Sequence, residues 1–77
     1  MRIFVGNLAS TTTEEDVQHL FVPYGLVNFT RLVQSRQTGR SLGYCFVEMP
    51  QVAEAQAAVA GLQGVTIEGR LLSVHEA

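Results

Sequence analysis

Tyr44, Phe46 and Glu48 stand at alternate positions of one short apolar run, and Phe4 stands between Ile3 and Val5 in another. Rings at that spacing share one face of an extended segment, and apolar patches left in the open usually bind something. All five basic residues are arginines, Arg2, Arg31, Arg36, Arg40 and Arg70. Their guanidinium forks can hold an anion with two hydrogen bonds or lie flat on a base. His75, close to the last of the chain, adds one more ring. Catalysis and metal binding have less to work with. Cys45 is the only cysteine, so there is no internal disulfide and no Cys-x-x-Cys metal loop, and His19 and His75 lie far apart. No nucleophile or carboxylate–histidine pair suggests itself. The expectation is a binding protein without enzyme activity, cofactor or metal.

The elements that must position these groups are few. The chain has 77 residues, 47% hydrophobic and 16% charged, which suits one small domain over residues 1–77. A disordered tail or a coiled coil would carry more charge. No apolar run reaches the roughly 18 to 20 residues of a membrane span. The run Ile3-Phe4-Val5-Gly6 meets Asn7 too soon to be a signal-peptide core. A cytoplasmic globular domain without a membrane partner is expected. Five basic against seven acidic residues give a net charge of −2, which argues mildly against nucleic acid until the charges are assigned to faces.

Ile3-Phe4-Val5, broken by Gly6-Asn7, reads as a strand. Thr11-Thr12-Thr13 followed by Glu14-Glu15-Asp16 is a capping-box signature, and Val17, Leu20 and Phe21 recur at helical spacing. A first helix is predicted from about Glu14 to Val22, stopped by Pro23 and Gly25. Leu26 to Gln34 has a strand composition without clean alternation, so a strand with one local irregularity is predicted there. Ser35 to Ser41 is polar and contains Gly39, and reads as a hairpin loop. Gly43 to Met49 alternates and is a strand. Pro50 opens a second helix carrying Val52, Ala55, Val59 and Leu62 at spacings of three and four, ended by Gly61 and Gly64. Gly69 marks a turn, and Leu71 to His75 is the last strand. The order βαββαβ is the split βαβ, ferredoxin-like pattern. The expected fold class is therefore α+β: a two-layer sandwich with a four-stranded antiparallel sheet and both helices on one face.

One sheet face is left open, and side chains alternate across a strand. Ile3 and Val5 must enter the core, which turns Arg2 and Phe4 outward. Cys45, Val47 and Met49 go inward, so Tyr44, Phe46 and Glu48 go outward. Leu72 and Val74 go inward, and Leu71, Ser73 and His75 outward. In this topology the first and third strands are central neighbours, so Phe4, Tyr44 and Phe46 form a solvent-facing aromatic cluster. Apolar patches of that kind usually bind something.

The residues also carry a resemblance. Ile3-Phe4-Val5-Gly6-Asn7-Leu8 resembles the RNP2 hexamer of the RNA recognition motif, and Leu42-Gly43-Tyr44-Cys45-Phe46-Val47-Glu48-Met49 resembles its RNP1 octamer. The likeness extends to the loop Arg36 to Ser41, to Ala55, Ala58, Val59 and Leu62, and to Gly69 through Val74. It implies single-stranded RNA stacked on Phe4, Tyr44 and Phe46, the same three that parity selects. It also implies a post-transcriptional regulator or RNA chaperone like the small single-motif RNA-binding proteins of bacteria. Such a platform would accept single-stranded DNA too, because discrimination rests on 2′-hydroxyl contacts. Leu42 departs from the basic residue that opens RNP1, Cys45 from Gly or Ala, and Met49 from an aromatic.

Each group also has a plainer reading. The aromatic cluster could be covered by a protein partner or by self-association, and the helical face could serve the same purpose. Arg2, Arg31, Arg36 and Arg40 are the proposed phosphate contacts, although loop arginines are often only solvated. Arg31 depends on second-strand parity: with Leu32 inward, Phe29, Arg31 and Val33 face out. His75 could stack or simply be exposed. His19 reads as solvated, Cys45 as a small buried hydrophobe, Asn7 as a turn residue and Arg70 as support for the turn before the last strand.

Overall fold

A computed structural model describes residues 1–77. Helix α1 (Glu14–Phe21) begins where the threonine–acid pattern placed it. The Thr13 hydroxyl accepts from Asp16 N at 3.1 Å, and Thr13 N donates to the Asp16 carboxylate at 3.0 Å. That backbone hydrogen bond, followed by the hydroxyl's, holds the Asp16 carboxyl below the usual carboxylate range. Val17 and Phe21 are fully buried, each contributing roughly 1.5 to 3 kcal/mol by leaving water. The helix ends one residue before the predicted boundary. Pro23 cannot extend the ladder, and Val22–Tyr24 tighten into a 3-10 turn.

Helix α2 (Val52–Gly61) starts after Gln51, later than Pro50 suggested. Its buried positions are Ala55 and Ala58, followed by Leu62 just past its end, while Val59 is only partly buried and Val52 is exposed. Alanine on that face brings the helix backbone close to the sheet.

Strands β1 (Arg2–Gly6), β2 (Phe29–Gln34), β3 (Ser41–Glu48) and β6 (Ser73–Glu76) form one antiparallel sheet in the order β2-β3-β1-β6. This is the expected α+β, ferredoxin-like arrangement. Ile3, Val5, Cys45, Val47, Met49, Leu72 and Val74 face the helices and are buried with Leu8, Val17, Phe21 and Leu62. The irregularity expected in the second strand is a register shift between Leu32 and Gln34. Leu26 to Asn28 lie outside the strand, which is why the segment did not alternate cleanly.

The end of the chain differs from the expected single strand. Thr66–Ile67 (β4) and Arg70–Leu71 (β5) pair as a separate small hairpin, and only Ser73–Glu76 joins the main sheet. The hairpin turns on Glu68 and Gly69, with φ of 51° and 77°, the left-handed pair that a two-residue turn requires. It is tied to the rest of the fold by side chains. Thr11 and Thr12 hydroxyls donate to the Glu68 carboxylate. Arg70 donates to Asn7 O at 3.0 Å and to its side-chain oxygen at 2.8 Å, and Asn7 Nδ2 donates to Leu71 O at 2.7 Å. Asn7 is thus a turn residue, with φ of 61°, and Arg70 supports the chain ahead of the last strand. No helix is long and apolar enough to cross a membrane.

Candidate nucleic-acid interface

Strand register arranges the open face in rows. The central row runs Arg31, Phe46, Phe4, His75 across β2, β3, β1 and β6, since Arg31 pairs with Phe46, Phe46 with Phe4 and Phe4 with His75. The next row towards the chain's N-terminus runs Phe29, Glu48, Arg2. On the other side stand Tyr44 and, paired with each other, Gly6 and Ser73.

The rings touch. Phe4 lies 5.8 Å from Tyr44 and 5.9 Å from Phe46 between centroids, and Tyr44 and Phe46 meet edge to face at 6.2 Å. His75 stacks against Phe4 at 4.8 Å with 26° between the planes. Phe4, Tyr44 and Phe46 are each partly exposed, because the rings shield one another. Gly6 makes room for this. A Cβ there would fall 2.6 Å from Phe4 Cε1, so the Phe4 ring lies over a position that any side chain would contest.

Phe29 belongs to the same face. The residue is 36% exposed, and the guanidinium carbons of Arg2 and Arg31 sit 5.6 and 5.7 Å from its ring centroid, within cation–π range. The sequence left this ring conditional on the parity of the second strand. Leu32 packs against the core, which settles Phe29 and Arg31 as outward. Arg2 Nε also donates to Glu48 Oε2 at 3.5 Å.

The loop arginines are placed differently from those on the strands. Arg36 is exposed in the β2–β3 loop. Arg40 lines a cleft of about 570 Å³ with Ser10 to Glu15, Leu32 and Gln34, beside the start of α1 on the helix side of the sheet. The structure therefore gathers Phe4, Tyr44, Phe46, Arg2, Arg31 and His75 on the open face and does not bring Arg40 to it. Cys45 is fully buried under the face, and burial pushes its thiol up to about 12. No group of three histidine, cysteine or acidic residues converges as metal ligands would.

A face of this composition can take planar apolar groups on its rings and anions at its β2 edge. Three comparisons bear on it. The family model described as RNA recognition motif matches residues 3–73. RbpF of the cyanobacterium Nostoc sp., provisionally named an RNA-binding protein, is 46% identical over 77 residues, all of this chain and 73% of its own length. Among solved structures, the crystal structure of RNA Binding Protein PG1 superposes with a TM-score of 0.97 at 43% identity, covering 100% of this chain and 93% of that one. The Rna15 RRM with bound RNA (GU) superposes at 0.86 and 29% identity, over 99% of this chain and 81% of that one.

Proposed function

Because this chain belongs to the RNA recognition motif family, we propose that its open sheet face binds single-stranded RNA by stacking bases on Phe4, Tyr44 and Phe46. The observation that carries the reading is the mutual contact of those three rings, with His75 against Phe4, on the solvent side of the two central strands. Stacking contributes roughly 1 to 3 kcal/mol per base and tolerates any base. Arg2 and Arg31 supply positive charge beside the rings, and His75 extends the platform along β6. Arg36 and Arg40 act only if the strand leaves the sheet past Tyr44. The module acts by binding and not by catalysis, as one unit over residues 1–77, in the cytoplasm of a bacterial cell. Single-stranded DNA is a second ligand of the same stacking surface.

The test pairs affinity with fold. Phe4→Ala combined with Tyr44→Ala should weaken binding of a short oligoribonucleotide by about 2 kcal/mol or more, close to thirtyfold, with the circular dichroism spectrum unchanged. A folded double variant that binds RNA as tightly as the parent rules the platform out. If the parent self-associates and the double variant is monomeric, the rings serve a protein contact instead.

A further inference from the structure

An acidic side chain on a face meant for RNA is unfavourable unless it accepts hydrogen bonds from the ligand, because the phosphate backbone repels it. Glu48 is such a side chain. It stands on the open face next to Phe46 along β3 and opposite Arg2 on β1. Only Oε2 has a partner, Arg2 Nε, at a long 3.5 Å; Oε1 accepts nothing in the protein. The terminal amino groups of Arg2 likewise donate to no protein acceptor, and its guanidinium is held near the Phe29 ring at 5.6 Å. Side by side, the pair offers one cationic donor and two carboxylate acceptors to whatever lies on the rings.

That set matches one base. Guanine carries an acceptor, O6, followed by two donors, N1–H and N2–H, along its Watson–Crick edge. Adenine and cytosine each offer a single exocyclic amino donor beside a ring acceptor that would face the carboxylate. Uracil offers one donor flanked by two carbonyls. Outward residues two apart on a strand are separated by about 7 Å. A base stacked on Phe46 therefore has its edge within hydrogen-bond reach of Glu48 and of Arg2, which pairs with Glu48 across β1 and β3. Edge reading of unstacked bases is how single strands are told apart.

We infer that Glu48, positioned by Arg2, makes the platform prefer guanine, its carboxylate accepting from N1–H and N2–H while Arg2 donates to O6. The inference rests on the stacking reading and deepens it. Its test uses short oligouridines carrying one central guanosine, inosine, adenosine, cytidine or uridine, titrated by fluorescence anisotropy against the parent chain and Glu48→Gln. The parent should bind the guanosine strand about tenfold tighter than the adenosine or uridine strand, within the range of a good bidentate contact. Inosine, which lacks the N2 amino group, should fall between. In Glu48→Gln the spread should shrink to about twofold while oligouridine binding persists.

A guanosine preference that survives Glu48→Gln overturns the assignment. So does a variant that binds every strand more tightly by the same factor, which would mean that Glu48 only neutralises Arg2. A parent that binds all five strands equally overturns the inference and leaves the stacking platform standing. A parent that binds none of them removes the platform, and the guanine preference with it.

Discussion

Cys45 shows how one residue can lie directly beneath a binding face and take no part in it. Its neighbours along β3, Tyr44 and Phe46, point out to solvent, while its thiol is buried among the core side chains. Burial first, and the nearby Glu14 charge second, push the thiol from the usual 9.0 up to about 12. Thiol reagents attack the thiolate, so Cys45 should be unreactive towards alkylation near neutral pH in the folded chain and should react promptly in denaturant. The same shift has a signed consequence for stability. Between pH 9 and about 12 the native thiol keeps its proton while the unfolded chain gives its own up. Stability must then fall as pH rises through that window, by up to about 1.4 kcal/mol per pH unit from this group. Chemical denaturation of the parent and Cys45→Ala across pH 8 to 11 should show the steeper decline in the parent. Equal slopes would mean that the thiol titrates as freely in the native state as in the unfolded one.

Among the elements, the small hairpin β4–β5 is the one whose position depends most on distant side chains. Its strands are two residues each, too short to be stable alone. It is secured by Glu68 to Thr11 and Thr12, and by Arg70 to Asn7. Arg70→Ala should cost about 1 kcal/mol, as loss of a pair of exposed hydrogen bonds does. It should also speed hydrogen exchange of the Leu72 amide, which donates to Val65 O at 2.9 Å beside the hairpin. Arg70→Lys should not restore protection, because an ammonium cannot fork onto both Asn7 oxygens. Unchanged exchange at Leu72 in Arg70→Ala would show that Glu68 suffices. This element also marks where sequence reading ends. Ile3 and Val5, and Cys45 and Val47, alternate with aromatic residues, so the faces of β1 and β3 follow from pattern alone. Leu71-Leu72 continues that look into β6, and nothing local says that the chain pairs backwards at Gly69. The ties that decide it join residues 56 to 64 apart. The second strand was legible only in part for a related reason. Leu26 to Asn28 precede it outside the strand, so its parity, and with it the place of Phe29 beside the arginines, could not be counted from the first apolar residue.

Across the whole molecule the charges are segregated, and this resolves the apparent conflict between a net charge of −2 and an RNA ligand. Glu14, Glu15 and Asp16 open α1 and Glu54 lies in α2, all in the helical layer. Three of these acids are occupied by backbone, Asp16 by the amide of Thr13 at the helix cap. Glu14 accepts from Leu32 N at 2.7 Å, covering an amide of edge strand β2, and Glu54 accepts from Leu26 N at 3.1 Å. The open face keeps Arg2 and Arg31 against the single carboxylate of Glu48. Phosphate contacts should therefore be few. For a single strand, log K falls with log salt by about 0.7 per phosphate neutralised. Two strand arginines, one of them shared with Glu48, predict a slope of about −1, measured by titrating a fluorescent oligoribonucleotide between low and moderate salt. Arg31→Ala should flatten it further, and Arg40→Ala should leave it unchanged, since Arg40 lines the cleft beside the start of α1. A slope of about −3 would need roughly four phosphates. Arg2 and Arg31 cannot supply that many, so the strand would have to run past Tyr44 onto Arg36 and Arg40.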